Sequence, residues 1–153
     1  MSSSIRYSFT QKFPYSPDAA FAWCTDFAPE DHELMGDSTG ERKIISVSEG
    51  VLILDEVFHT PNGDVPKQKL VTLYPVSHSW VSTHLTGPNK YSQFTYKITP
   101  TKDGSQLKFT GLHIEHKKLT MAEVKEWAER LCKDDAEAWR LLAAAMIKDL
   151  GKR

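Results

Sequence analysis

Phe13-Pro14-Tyr15-Ser16-Pro17-Asp18-Ala19-Ala20-Phe21-Ala22-Trp23-Cys24-Thr25-Asp26 is the stretch in which one kind of backbone gives way to another. Before it, Ile5, Tyr7, Phe9 and Phe13 alternate with Arg6, Ser8, Thr10 and Lys12, the period of a strand with one buried face. Within it, Ser16 caps a helix, Pro17 suits the first helical position because its φ is already set, and Asp18 complements the helix dipole. The helix carries Ala19 to Cys24 and fades near Phe27, ahead of Pro29. A second short helix is predicted from about Pro29 to Met35, ended by Gly36.

Downstream the periodicity changes. From Glu41 to Glu115 the chain reads as six successive strands: Arg42–Ser48, Val51–Thr60, Val65–Tyr74, Ser79–Thr86, Tyr91–Thr99 and Gln106–Glu115. Turn residues separate them, among them Asn62-Gly63 and Asp103-Gly104, which are strong hairpin signals. Strands with no helices between them predict an antiparallel meander. A long helix follows. Thr120-Met121-Ala122-Glu123 has the form of a capping box, and Val124, Trp127, Leu131, Ala138, Leu142, Met146 and Leu150 form one apolar stripe.

Composition narrows the function. The 153 residues make one domain, spanning 1–153. Nineteen basic side chains against twenty acidic ones leave a formal charge of −1, without the cationic excess that nucleic-acid binding or a polybasic membrane anchor needs. The longest apolar run, Leu141 to Ile147, is too short to insert in a membrane. Two cysteines, Cys24 and Cys132, point to buried thiols in a reducing compartment, and no signal-peptide pattern precedes Ile5, so a cytoplasmic protein is expected. No phosphate-binding loop, dinucleotide fingerprint or nucleophile elbow is present, so no cofactor is expected. A metal is not expected either. His113 and His116 point to opposite faces of a strand, and His78 and His84 would lie roughly 20 Å apart.

Pairing the strands through their turns assigns the faces. The Asn62-Gly63 turn sets Asp55 opposite Leu70 and Ile53 opposite Thr72, with Glu56 and Lys69 as a solvated pair on the other side. The Asp103-Gly104 turn sets Ile98 opposite Phe109 and Phe94 opposite His113. A turn at Pro88-Asn89 brings Val81, Thr83 and Leu85 onto the face of Phe94 and Tyr96, leaving Trp80 outside. The expected inner surface is apolar with a few polar groups, Asp55, Gln68, Thr72, Thr83, Tyr96 and His113. That is the chemistry of a small-molecule pocket.

Strand, paired helices, a run of strands and a long final helix make up the order of a helix-grip α+β fold. The chain resembles the START-like superfamily, which includes polyketide cyclase/dehydrase-like and birch-pollen-allergen-like proteins. At the sequence level the resemblance is carried by Phe13 through Asp26, with Ser16-Pro17-Asp18, Phe21, Trp23 and Thr25-Asp26-Phe27. It implies a curved seven-stranded antiparallel sheet gripping the C-terminal helix around an elongated hydrophobic cavity. Pro29 is followed here by the charged Glu30-Asp31-His32, where many cyclase-like members have Trp.

On this reading the ligand is a hydrophobic or amphipathic small molecule (lipid, polyketide-like or aromatic). Its expected contacts are Tyr7, Phe9, Asp55, Leu70, Thr72, Thr83, Phe94, Tyr96, Phe109, His113, Trp127, Leu131 and Asp135. Asp135 falls in the middle of the helix stripe and so requires a partner, because an isolated buried charge is costly; His113 and Tyr96 are the candidates. The same three residues would carry acid–base chemistry if the protein were a cyclase, dehydratase or hydrolase. A third reading, a chaperone-activator-like interaction module, would use an exposed Trp80. The sequence leaves the oligomeric state open.

Overall fold

The computed structural model describes residues 2–27 and 39–151. The predicted helix from Pro29 to Met35 and the Glu30-Asp31-His32 segment lie outside the described residues. Strand β1 (Ser3–Phe13) leads into helix α1 (Pro17–Cys24). The Ser16 hydroxyl accepts from the Ala19 N–H at 3.2 Å, satisfying one of the donors a helix start leaves open. Thr25 ends the helix by placing both its hydroxyl and its N–H on the Phe21 carbonyl, at 2.7 and 3.0 Å.

Six strands follow: β2 (Thr39–Ser48), β3 (Val51–Thr60), β4 (Gly63–Tyr74), β5 (Ser79–His84), β6 (Gln93–Thr101) and β7 (Gly104–Glu115). Helix α2 (Met121–Leu150) starts with the predicted capping box, Thr120 and Glu123 each satisfying the other's backbone N–H. The strands form one antiparallel sheet in the order β1-β7-β6-β5-β4-β3-β2. The first strand thus lies beside the last, and α2 packs back across β1. This is the expected helix-grip arrangement. Ile5, Leu107, Ile98 and Met146 are buried almost completely between sheet and helix.

Three hairpin registers differ from the sequence-based pairing. In the β6–β7 hairpin Tyr96 faces Phe109 and Phe94 faces Gly111. In the β3–β4 hairpin Asp55 faces Gln68 and Ile53 faces Leu70. Both are two-residue offsets, which change partners but not faces. The β5–β6 offset is a single residue, so every side chain of β5 reverses. Trp80 pairs with Tyr96 and Ser82 with Phe94. The intervening loop is longer than a Pro88-Asn89 turn: the Tyr91 N–H closes it onto the His84 carbonyl at 2.8 Å, with Tyr91 at φ 77°.

The assignment of faces in β3 and β4 is also corrected. Leu54, Glu56 and Val71 are the buried residues, so the inner face carries Leu52, Leu54, Glu56 and Phe58 with Lys67, Lys69, Val71 and Leu73. Asp55, Gln68, Leu70 and Thr72 belong to the outer face, as does Thr83 on β5, and the expectation that they line a pocket is overturned. Glu56 and Lys69 have the composition of a solvent-facing pair, but here they face inward. Glu56 is in fact fully buried and held by two cations.

Candidate ligand-binding site

Between the inner face of the sheet and α2 lies a cavity of about 320 Å³. Strand β1 contributes Tyr7, β6 contributes Phe94 and Tyr96, β7 contributes Phe109 and His113, and α2 contributes Leu131 and Asp135. The cavity thus collects seven of the residues expected to contact a ligand. A second cavity of about 120 Å³ adjoins it toward α1, the two sharing Lys69, Ser82, Tyr96 and Trp139 as walls.

The aromatic lining is continuous. Phe109 packs against Tyr7, Phe94 and Tyr96 with ring centres 5.3–5.8 Å apart. Trp80, stacked on Tyr96 at 4.7 Å, is only 2% exposed. Trp80 therefore faces the interior and offers no side chain to an outer interaction surface. Phe9 lies behind the lining, stacked on Phe109 at 4.6 Å. Trp127 sits beside His113 at 5.7 Å, with the Arg130 guanidinium 4.7 Å over its ring; neither Phe9 nor Trp127 borders the cavity.

Asp135 faces the sheet, as its place in the stripe requires, but its partner is neither His113 nor Tyr96. Its carboxylate accepts a hydrogen bond from the Tyr7 hydroxyl. Burial raises the Asp135 carboxyl above the usual range, and the Tyr7 bond opposes that rise. Burial, then Asp135 itself, push Tyr7 upward. Tyr96 is raised for the same two reasons. Both phenols are consequently neutral donors at neutral pH. His113 Nε2 lies 3.3 Å from Glu115 on its own strand.

The opposite wall carries charge that the sequence reading placed outside. Arg42 on β2 reaches Glu56 Oε2 through Nε at 2.8 Å and Nη2 at 2.7 Å, while Lys69 Nζ lies 2.8 Å from Oε1. A buried carboxylate satisfied from both sides is tolerated where an unpaired one is not. His84 on β5 is buried, and its imidazole is pushed down to about 4, first by burial and then by Lys69 and Lys67. Lys67 is lowered from the usual lysine range by burial and by Lys69. Reading the sequence alone missed Arg42, Glu56, Lys67, Lys69, Ser82 and His84. Their one signal is size: the long side chains Leu52, Leu54, Glu56 and Phe58 share a face opposite the β-branched Val51, Ile53 and Val57.

Among the described residues no three His, Cys, Asp or Glu side chains are grouped to hold a metal ion. Among them, too, no helix is long and apolar enough to cross a membrane.

The seven-stranded antiparallel sheet and the long C-terminal helix define a helix-grip α+β fold. The di-domain aromatase/cyclase StfQ from the steffimycin biosynthetic pathway superposes with a TM-score of 0.74 at 15% identity, over 97% of this chain and 53% of that one. This chain therefore spans about half the length of that protein. Ara h 8.0201 superposes with a TM-score of 0.73 at 10% identity, over 95% of this chain and 99% of that one. The Zhui aromatase/cyclase from Streptomyces sp. R1128 gives 0.73 at 12% identity, over 99% and 97%. No family model and no curated protein sequence matches the chain. At these identities the likeness is one of fold.

Proposed function

We infer that the protein binds a hydrophobic or amphipathic small molecule between the sheet and α2. The cavity of about 320 Å³ carries this reading. It lies within the range of small-molecule sites, with aromatic and aliphatic side chains making up about half of its lining and polar or charged groups able to orient a ligand making up the rest. The aromatic walls favour a ligand with a flat apolar body, such as a polyketide-like or aromatic compound. The fold shared with two aromatase/cyclases is consistent with that preference. A cytoplasmic setting belongs to the same proposal, since Cys24 and Cys132 are both thiols.

Native mass spectrometry of the freshly purified protein tests the reading. A co-purified organic molecule, or saturable uptake of an aromatic compound, is the expected result. A protein that carries nothing and takes up no apolar compound would sink it.

A second reading is catalytic, and the Tyr7–Asp135 pair favours it. A carboxyl raised by burial and bonded to a phenol at a cavity wall has the form of an acid–base group. If the co-purified molecule is turned over, Asp135→Asn should slow that turnover by about a hundredfold or more. If the protein only binds, the same variant keeps most of its affinity.

A further inference from the structure

Lys67 lies on the inner face of β4, directly opposite Glu56 in the β3–β4 register. The Glu56 carboxylate is nevertheless held from other directions, by Arg42 and Lys69. The Lys67 ammonium makes no ion pair and no hydrogen bond among the described residues. Its Nζ lies over the Phe58 ring, 5.0 Å from the ring centre. Glu56 favours the charged form and Lys69 opposes it, so the cost of drawing the half-buried Lys67 ammonium out of water is only partly repaid.

His84, diagonal to Lys67 on the neighbouring strand, is in a similar situation. His84 pairs in register with Lys69, and its ring packs against Phe94 at 5.2 Å. Its imidazole nitrogens make no hydrogen bond among the described residues, although the residue is only 8% exposed. The imidazole is neutral at neutral pH and so offers one N–H donor. Lys67 and His84 border the same cavity as Phe94, Phe109 and Leu131. A cation and an N–H donor, neither with an acceptor among the described residues, thus stand on the polar wall of a cavity whose facing side is aromatic.

We propose that Lys67 and His84 form an oxyanion-binding subsite at the β4–β5 wall, and that the ligand is an organic anion: a carboxylate or sulfonate on an apolar body. This rests on the ligand-binding reading above and adds the charge of the ligand to it. One ammonium beside a neutral imidazole matches a single negative charge better than a phosphate dianion. The ligand's apolar body would lie along Phe94 and Phe109, toward Tyr7 and Asp135.

Two fluorescent probes that differ in one group test the proposal. Anilinonaphthalene sulfonate carries a permanent negative charge; phenylnaphthylamine has the same ring system without it. Wild-type protein should bind the sulfonate more tightly. Lys67→Met should weaken the sulfonate about tenfold or more, as expected for loss of a charged hydrogen bond, while phenylnaphthylamine changes less than about twofold. Lys67→Arg, which keeps the charge, should retain the anion preference. Equal affinity of wild type for the two probes, or equal effects of Lys67→Met on both, would overturn the anion subsite and leave the cavity reading intact. If neither probe binds wild type, both readings fall.

Discussion

The Tyr7 hydroxyl on β1 donates its hydrogen bond to Asp135 on α2, joining residues 128 positions apart. The bond ties the first strand to the middle of the last helix across the cavity. It also supplies a donor to a carboxylate that burial would otherwise leave exposed to the full desolvation penalty.

Removing that donor should therefore destabilise the fold. Tyr7→Phe is expected to cost about 1–3 kcal/mol. The cost should fall markedly in an Asp135→Leu background, where no carboxylate needs a partner. Urea unfolding of the two single variants and the double variant gives the coupling directly. Simple additivity would mean that the two side chains do not interact in solution.

Gly111 makes the Tyr7 position possible. The two residues pair across β1 and β7, and a Cβ on Gly111 would lie 2.6 Å from the Tyr7 ring. The ring is buried and fixed at its hydroxyl, so it has little room to yield. Gly111→Ala should cost about 1–3 kcal/mol, as overpacking does. It should also displace Tyr7 from Asp135, which a change in Tyr7 ring chemical shifts would report. An alanine variant as stable as wild type would contradict the placement of Tyr7.

Glu56 and Asp55 are adjacent in sequence and face opposite ways. Glu56 is fully buried between Arg42 and Lys69. Glu56→Gln leaves buried cations uncompensated and should lose about 3–5 kcal/mol in chemical unfolding. Asp55→Asn on the outer face should change stability by less than about 0.5 kcal/mol. Reversed magnitudes would mean that the sheet is turned inside out relative to the structure.

His84 predicts an acid-sensitive fold. Its folded value is about 4 against an ordinary 6.5, so the folded state resists taking a proton that the unfolded chain accepts. Stability from this group is complete above pH 6.5 and is lost as pH falls toward about 4. Lys69, Lys67 and His113 oppose the imidazolium, and Glu56 favours it. The loss should reach about 3 kcal/mol near the bottom of that window. In His84→Asn this component disappears, visible as a flatter dependence of the urea midpoint on pH.

The order of elements was legible from local signals. Ser16-Pro17-Asp18 and Thr120 to Glu123 act within a few residues of themselves, and the structure keeps both caps. Tyr7, Phe94, Phe109 and Asp135 were also readable, because each follows a clean period against polar neighbours on the other face. The β3 and β4 strands offered no such contrast. Ile53 and Leu54 are both apolar, as are Leu70 and Val71, so alternation could not choose between faces. The charges then pointed the wrong way, since Glu56, Lys67 and Lys69 look like surface residues until Arg42 is brought in from β2.

The helix-grip order, the capped helix ends and the inward position of Asp135 are written into local stretches of chain. These follow from contacts within a turn or from periodicities of 2 and 3.6 residues. The one-residue register that buries Trp80, the pairing of Tyr7 with Asp135, and the charged wall of Glu56, Lys67 and His84 emerge only once the strands and helix are assembled. Those depend on loop length and on which distant side chain can satisfy a buried charge. Neither is a property of any local stretch of chain.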